Sequence, residues 1–210
     1  GYDGPYSAMF TRFRKTDSES VSEAPNSPLG IILEVVQVLA ISLALIIPIR
    51  FFLIQPFYVQ GASMEPNFFD HEYLVIDELS YRLHAPKRGD VTVFKYPNNT
   101  KEYFIKRVIG LPGETVEISN GKIKIFNDKH PNGAQLDETS YLDQDFTANS
   151  QTVTLKPDEY FVLGDNRSSS LGSRFFGPVS SSYLVGRVWL RGFPFDRWKH
   201  FTSFNYEIDN

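Results

Sequence analysis

Apolar positions are unevenly spread along the chain. Residues 29–49 read LGIILEVVQVLAISLALIIPI, an apolar run whose acidic and amide intrusions, Glu34 and Gln37, lie near its start. As a helix, such a run is about 31 Å long, close to the thickness of a bilayer's hydrocarbon core. A carboxylate at Glu34 could sit near the headgroups or be protonated. Pro48 and Arg50 mark the far end, and Arg50 can snorkel to the interface. Phe51, Phe52, Phe57 and Tyr58 fit an interfacial aromatic belt. A buried core helix and a cleaved signal peptide are the competing readings. The run is long for a signal-peptide core and lies well inside the chain, with no convincing cleavage site beside it. The pattern therefore predicts an uncleaved transmembrane anchor over residues 29–54.

From residue 55 the pattern changes to short apolar runs separated by turn residues. Runs at 56–60, 73–76, 91–96, 102–109, 116–118, 123–126, 152–155, 160–163 and 185–190 read as strands. Ser119-Asn120-Gly121 between two alternating runs is a hairpin signal. The expectation is a mainly β domain over 55–210. Residues 127–150 are polar and turn-rich and read as a surface insertion. Residues 1–28, rich in Ser, Pro and Gly, read as a mobile tail.

Composition removes several function classes. Lys plus Arg total 21 and Asp plus Glu 25, a net charge of −4. That argues against nucleic acid as a partner, which calls for a basic excess. The absence of cysteine excludes disulfides, thiolate metal sites and cysteine nucleophiles, and leaves the redox compartment open. His71, His84, His130 and His200 have no metal-ligand spacing, and neither a GxSxG elbow nor a phosphate-binding glycine loop is present. No metal or organic cofactor is expected. Arg12, Arg14 and Lys15 precede the apolar run, followed by Asp17, Glu19 and Glu23. Counting basic residues alone puts the N-terminus on the cytoplasmic side and the β domain opposite.

Three clusters carry candidate chemistry. In Gln60-Gly61-Ala62-Ser63-Met64-Glu65-Pro66, small residues allow a tight turn that exposes the Ser63 hydroxyl. In Phe104-Ile105-Lys106-Arg107-Val108-Ile109-Gly110-Leu111-Pro112-Gly113-Glu114, Lys106 and Arg107 fall on opposite faces of a strand, so one of them is expected to face the interior. Residues 164–177, GDNRSSSLGSRFFG, form a polar loop after an apolar strand. Each cluster alone has an ordinary structural explanation: a turn serine, a snorkelling lysine, a solvated loop.

Taken together and in order, they resemble the type I signal peptidases, membrane-anchored serine proteases with a Ser–Lys dyad. The resemblance rests on the apolar anchor, GASMEP, KRGDV (residues 87–91), KRVIGLPGE and the GDNR loop, and runs from about residue 28 to 198. The stretch YRLHAPKRGDV (81–91) looks like cyanobacterial and thylakoid members. The resemblance implies a signal-peptidase-like β domain behind one transmembrane helix. It implies Ser63 as nucleophile, Lys106 as general base and Ser170 as the residue that orients the lysine. A lysine acts as a base only when neutral, and desolvation by Phe104, Ile105, Val108 and Met64 would favour that form. Phe57, Val59, Met64, Phe68 and Ile105 match positions lining two shallow pockets for small residues at −1 and −3. Arg107 matches an arginine paired with Asp165 as structural support. The implied partners are the signal peptides of preproteins and a lipid bilayer, plasma or thylakoid. The N-terminus would be cytoplasmic or stromal and the peptidase domain periplasmic or lumenal.

Two departures stand out. Gly61 replaces a serine that completes the oxyanion hole in some members. Gly172 replaces an aspartate, so Arg174 is expected to lose its carboxylate partner, and Gly172→Asp to restore order there. The competing function is a weak or inactive homologue acting as a membrane-tethered interaction subunit. A Ser–Lys self-cleaving repressor fits poorly, because the segment before the apolar run is short and polar and the net charge is negative.

Overall fold

The computed structural model describes residues 27–52, 54–142 and 146–209. The tail expected at 1–28 lies almost wholly outside the described residues. The chain divides into two compact units, Gly1–Ala44 and Leu45–Asn210, with the boundary inside the first helix.

That helix, α1, spans Pro28–Phe52. Ser27 begins it: its Oγ accepts from Gly30 N at 3.2 Å, and its carbonyl accepts from Ile31 N at 3.1 Å. Pro28 then occupies the first helical position, where a missing N–H costs nothing. The stretch Pro28–Ile47 has a mean hydropathy of 2.5 and is long and apolar enough to cross a membrane. Leu29, Leu33, Val38 and Leu45 are exposed, as are apolar residues on every side of the helix. Water tolerates such a surface poorly, and lipid accepts it.

The second unit is built from antiparallel strands. In chain order they are β1 (Ile54–Tyr58), β2 (Tyr73–Asp77), β3 (Val91–Tyr96), β4 (Asn99–Gly110), β5 (Thr115–Ser119), β6 (Lys122–Phe126), β7 (Ala134–Gln135), β8 (Gln151–Thr154), β9 (Glu159–Leu163), β10 (Val179–Ser180), β11 (Leu184–Phe193) and β12 (Lys199–His200). Short helices α2 (Leu79–Leu83) and α3 (Ser173–Phe176) interrupt them. The larger sheet has the order β1-β2-β11-β3-β4-β9-β10, with β12 paired to β11. The smaller has the order β7-β6-β5-β8. Asn120 and Gly121 both take positive φ, 51° and 78°, which is the turn that joins β5 to β6 with matching twist.

Strand β4 organises the site. It pairs along both edges, with β3 and β9, and its last five residues, 106–110, are buried whichever face they point to. Lys106 and Arg107 are therefore both buried, where the sequence pattern led us to expect one. One core cluster lies around Val59, Met64, Phe68, Leu74, Ile76, Val91, Val93 and Val188. Another joins the smaller sheet to Ile109, Phe161 and Leu163.

Within residues 127–150, expected as a surface insertion, Lys129, Pro131, Asn132, Asp137 and Asn149 are exposed, while five other residues are anchored inside. Leu136, Glu138, Tyr141, Leu142 and Thr147 are buried, and Tyr141 packs with Phe204 and Tyr206. Its buried acid, Glu138, ion-pairs with Arg167 of the loop after β9 at 2.6 Å. Composition alone does not distinguish a solvated polar stretch from one whose polar groups are paired inside.

Candidate active site

Ser63 sits in the turn after β1. Gly61 has φ +84°, a conformation glycine adopts without strain. Met64, fully buried, pins the turn to the core from below. The loop after β9 grips it from above: Asn166 N donates to the Ser63 carbonyl at 3.2 Å and Asn166 Nδ2 to the Ala62 carbonyl at 3.1 Å. Among the described residues, the Ser63 N–H has no hydrogen-bond partner.

Lys106 reaches the same point from β4. Its Nζ donates to Ser63 Oγ at 2.8 Å and to the Ile105 carbonyl at 2.8 Å. It lies 5.5 Å from the centre of the Phe104 ring. Burial disfavours the charged form and pulls the pKa from 10.5 down to about 8, against an upward pull from Asp165. At neutral to mildly alkaline pH, a buried amine with such a pKa has a neutral fraction able to accept the hydroxyl proton.

The other charged groups hold this pair in place. Arg107 forms a two-pronged pair with Asp165, Nε to Oδ1 at 2.8 Å and Nη2 to Oδ2 at 2.6 Å. Its Nη1 donates to the Gly89 carbonyl at 3.0 Å, and Tyr141 lies 4.1 Å from its guanidinium. Asn67 Nδ2 donates to Asp165 Oδ2 at 2.9 Å, which ties the Ser63 turn to the same carboxylate. Arg167 binds Glu138 through both terminal nitrogens at 2.7 and 2.6 Å. Gly164 makes the close approach possible, since a Cβ there would lie 2.0 Å from Ser170 Oγ and 2.4 Å from the Ser63 carbonyl oxygen.

Ser170 is buried beside Gly164, and its hydroxyl has no hydrogen-bond partner among the described residues. The contact with Lys106 that the resemblance implied is not formed: besides Ser63 Oγ, Lys106 Nζ donates to the Ile105 carbonyl, and Ser170 Oγ is left without it. With Gly172 in the aspartate's place, Arg174 has no carboxylate partner among the described residues, and its Nε is buried without a hydrogen bond. Its terminal nitrogens donate to the carbonyls of Ala148 at 3.1 Å, Arg167 at 2.5 Å and Ser170 at 3.3 Å. Gly172 itself is hemmed in, because a Cβ there would lie 2.9 Å from the Val162 carbonyl oxygen.

A cavity of about 660 Å³ opens at Ser63 and Lys106. Phe57, Val59 and Ile105 line it, as expected positions for substrate contact. Met64 and Phe68 do not line it. Both are fully buried under the turn, packed with Leu74, Ile76 and Val188. Leu74, Val93, Tyr103 and Leu171 line the cavity in their stead.

A serine hydroxyl and a buried lysine amine thus lie at hydrogen-bond distance beside the cavity, an arrangement in which a neutral amine can accept the hydroxyl proton. The sequence profile described as "Signal peptidase, peptidase S26" matches residues 32–193. The chain belongs to this family. It is 34% identical over 187 residues to a probable signal peptidase I-1 of Synechocystis sp., covering 86% of this chain and 92% of the relative. It is 35% identical over 179 residues to a signal peptidase I of Leptolyngbya laminosa, covering 82% and 83%. A solved signal peptidase I from Enterococcus faecalis V583 is 33% identical and covers 50% of this chain and 97% of its own, with a TM-score of 0.41. By its strands and its family the chain is a mainly β peptidase, preceded in sequence by an apolar helix. For a signal peptidase of this sequence, the cavity-lining Leu74 and Val93 are the residues that motif reading misses. They lie on ordinary core strands, and only tertiary packing turns them toward the cavity.

Proposed function

We propose that this chain is a membrane-anchored endopeptidase that removes N-terminal signal peptides from preproteins after small residues at −1 and −3. The observation that carries the reading is the 2.8 Å contact between Ser63 Oγ and a buried Lys106 Nζ. Neutral Lys106 takes the Ser63 proton as Oγ attacks the scissile carbonyl carbon. The Ser63 N–H faces the developing oxyanion. Collapse of the tetrahedral adduct breaks the C–N bond, and Lys106 returns the proton to the leaving amine. Water, deprotonated by Lys106, then attacks the acyl carbon; the ester C–Oγ bond breaks, Lys106 returns the proton to Ser63 Oγ, and the signal peptide leaves as a carboxylic acid that ionises in water. Ser170, buried beside Gly164 with no hydroxyl partner among the described residues, is assigned the orienting role once Ser63 is acylated. Phe57, Val59 and Ile105 contact the small side chains, together with Leu74 and Tyr103. Helix α1 tethers the unit to the bilayer in which signal peptides reside.

The reading as an inactive subunit draws no support from Gly172. Arg174 keeps three carbonyl partners, and the Ser63–Lys106 contact is intact. The test is cleavage of a preprotein with an Ala-X-Ala site by the detergent-solubilised chain. Ser63→Ala and Lys106→Met are each expected to abolish it. A folded, unsubstituted chain that leaves such preproteins uncut would overturn the proposal.

A further inference from the structure

The turn that presents Ser63 has two ends, and only one of them is held by the motifs that define the site. Its later end is gripped by Asn166, at the carbonyls of Ala62 and Ser63. Its beginning, Gly61, is a residue whose positive φ lets the chain bend and whose missing side chain leaves nothing to pack, with no atom within 4 Å of a Cβ built there. A backbone of this kind is mobile unless something outside fastens it. The fastening comes from Asp70, nine residues on, whose Oδ1 accepts from the Gly61 N–H at 2.9 Å.

Asp70 is itself aimed at that N–H by its surroundings. The β1–β2 ladder continues past its strands: Val59 N donates to the Glu72 carbonyl at 2.9 Å and His71 N to the Val59 carbonyl at 3.0 Å. This brings residue 70 opposite residue 61. His71 adopts φ +68°, an uncommon conformation for a non-glycine residue, and its Nδ1 lies 2.8 Å from Asp70 Oδ2. The His71 ring stands edge-on to Tyr58 at 5.6 Å. One carboxylate oxygen is thus engaged by His71 and the other by Gly61.

We infer that Asp70 is a positioning residue for the peptidase reaction, fixing the Gly61–Ser63 turn through the Gly61 N–H so that the Ser63 hydroxyl and N–H meet the scissile carbonyl together. The inference rests on the proposed function and extends it. In this chain the role is heightened by Gly61, which supplies no hydroxyl of its own to the oxyanion. The stabilising donor is then a backbone N–H, and its direction is set by the turn. An error of an ångström in such a donor has a large effect on a transition state and little on binding.

Asp70 is well exposed, its side chain at 44%, so its removal leaves no buried void. This separates positioning from stability. The experiment compares the full chain in detergent with Asp70→Ala and Asp70→Asn, measuring kcat, KM and Tm on one preprotein with an Ala-X-Ala site. Asp70→Ala is expected to lower kcat about tenfold, the effect of losing one hydrogen bond to a charged acceptor, with KM within about twofold. Tm should stay within about 2 °C, as for surface substitutions generally. Asp70→Asn keeps a carbonyl acceptor and should retain most of kcat. An unchanged kcat in Asp70→Ala would overturn the role. So would an equal loss in both variants, or a fall in kcat that tracks a fall in Tm. Cutting by the unsubstituted chain is read first. Its absence would overturn the peptidase reading and this role with it, whereas the other negative results remove the role alone.

Discussion

Lys106 is held in an environment that works against its own charge. Lowering its pKa from 10.5 to about 8 makes the protonated form roughly 3 kcal/mol less stable than it would be in water. For catalysis, the neutral fraction rises as pH passes about 8, so kcat/KM should climb through that region and level off above it. A rate that stays flat between pH 6 and 10 would remove Lys106 as the base. For stability the sign is also defined. Between the folded pKa of about 8 and the unfolded value of 10.5, the unfolded chain binds more protons, so this residue's contribution to stability grows as pH rises through that window. Below pH 8 the burial penalty is present in full. Lys106→Met should accordingly have a higher Tm than the unsubstituted chain at pH 7, and the gap should narrow as pH approaches 10.5. An identical gap at both ends of the titration would show that packing, not charge, sets it. Gly172 carries a different lesson. An aspartate there was expected to give Arg174 a partner, but Arg174 already donates to three carbonyls, and a Cβ would meet the Val162 carbonyl oxygen at 2.9 Å. Backbone must then move to admit the side chain. Gly172→Asp should lower Tm, and thermal unfolding showing a gain would mean the loop repacks around the new carboxylate.

At the scale of elements, β4 and the loop after β9 form one unit joined by charge. Arg107 on β4 and Asp165 on the loop are both buried and doubly hydrogen-bonded. Asn67 extends the link to the Ser63 turn. Removing one member of such a pair leaves the other charged and buried, typically at about 3–5 kcal/mol. Arg107→Met should therefore lower the unfolding free energy by that order, and the loss of Ser63 placement should accompany it. Denaturant unfolding with an unchanged midpoint would contradict this. The strands that present these residues were legible from alternation and turn residues, and the β5–β6 hairpin from Asn120-Gly121. Two-residue strands such as β7, β10 and β12 were not, because a period of two needs more than two positions to be seen. Within the site, Ser63, Lys106, Arg107 and Asp165 come together as their motifs imply. Met64 and Phe68 lie beneath the turn and not along the cavity, since an apolar residue near a nucleophile can point either way, and sequence carries no sign of which. Glu138 was hidden for the opposite reason. Its partner Arg167 lies 29 residues away, and a buried ion pair looks like surface polarity until the chain is folded.

For the whole molecule, the apolar helix poses the question of sidedness. A single span puts its two flanking segments on opposite faces of the bilayer. Three basic residues, Arg12, Arg14 and Lys15, lie before α1. After Arg50 the next basic residue is Arg82, and Glu65, Asp70, Glu72, Asp77 and Glu78 fall between them. Sidedness is set by Lys and Arg within about 15–20 residues of the span, and acidic residues count little. We propose on this balance that the N-terminal segment stays on the cytoplasmic side and the β unit is exported. Translocated substrates would emerge on that same side. Ser63 lies eleven residues beyond the end of α1, a reach of at most about 40 Å even if fully extended, so the nucleophile stays within that distance of the membrane end of the helix. The absence of cysteine makes the arrangement directly measurable. In sealed, right-side-out vesicles, a membrane-impermeant maleimide should label Lys129→Cys, an exposed position in the β unit. It should label Ser18→Cys only after the vesicles are opened. The reverse pattern would place the β unit on the cytoplasmic face, away from any emerging preprotein. A peptidase acting on exported chains could not work from there, so this one labelling pattern tests the topology and the substrate class together.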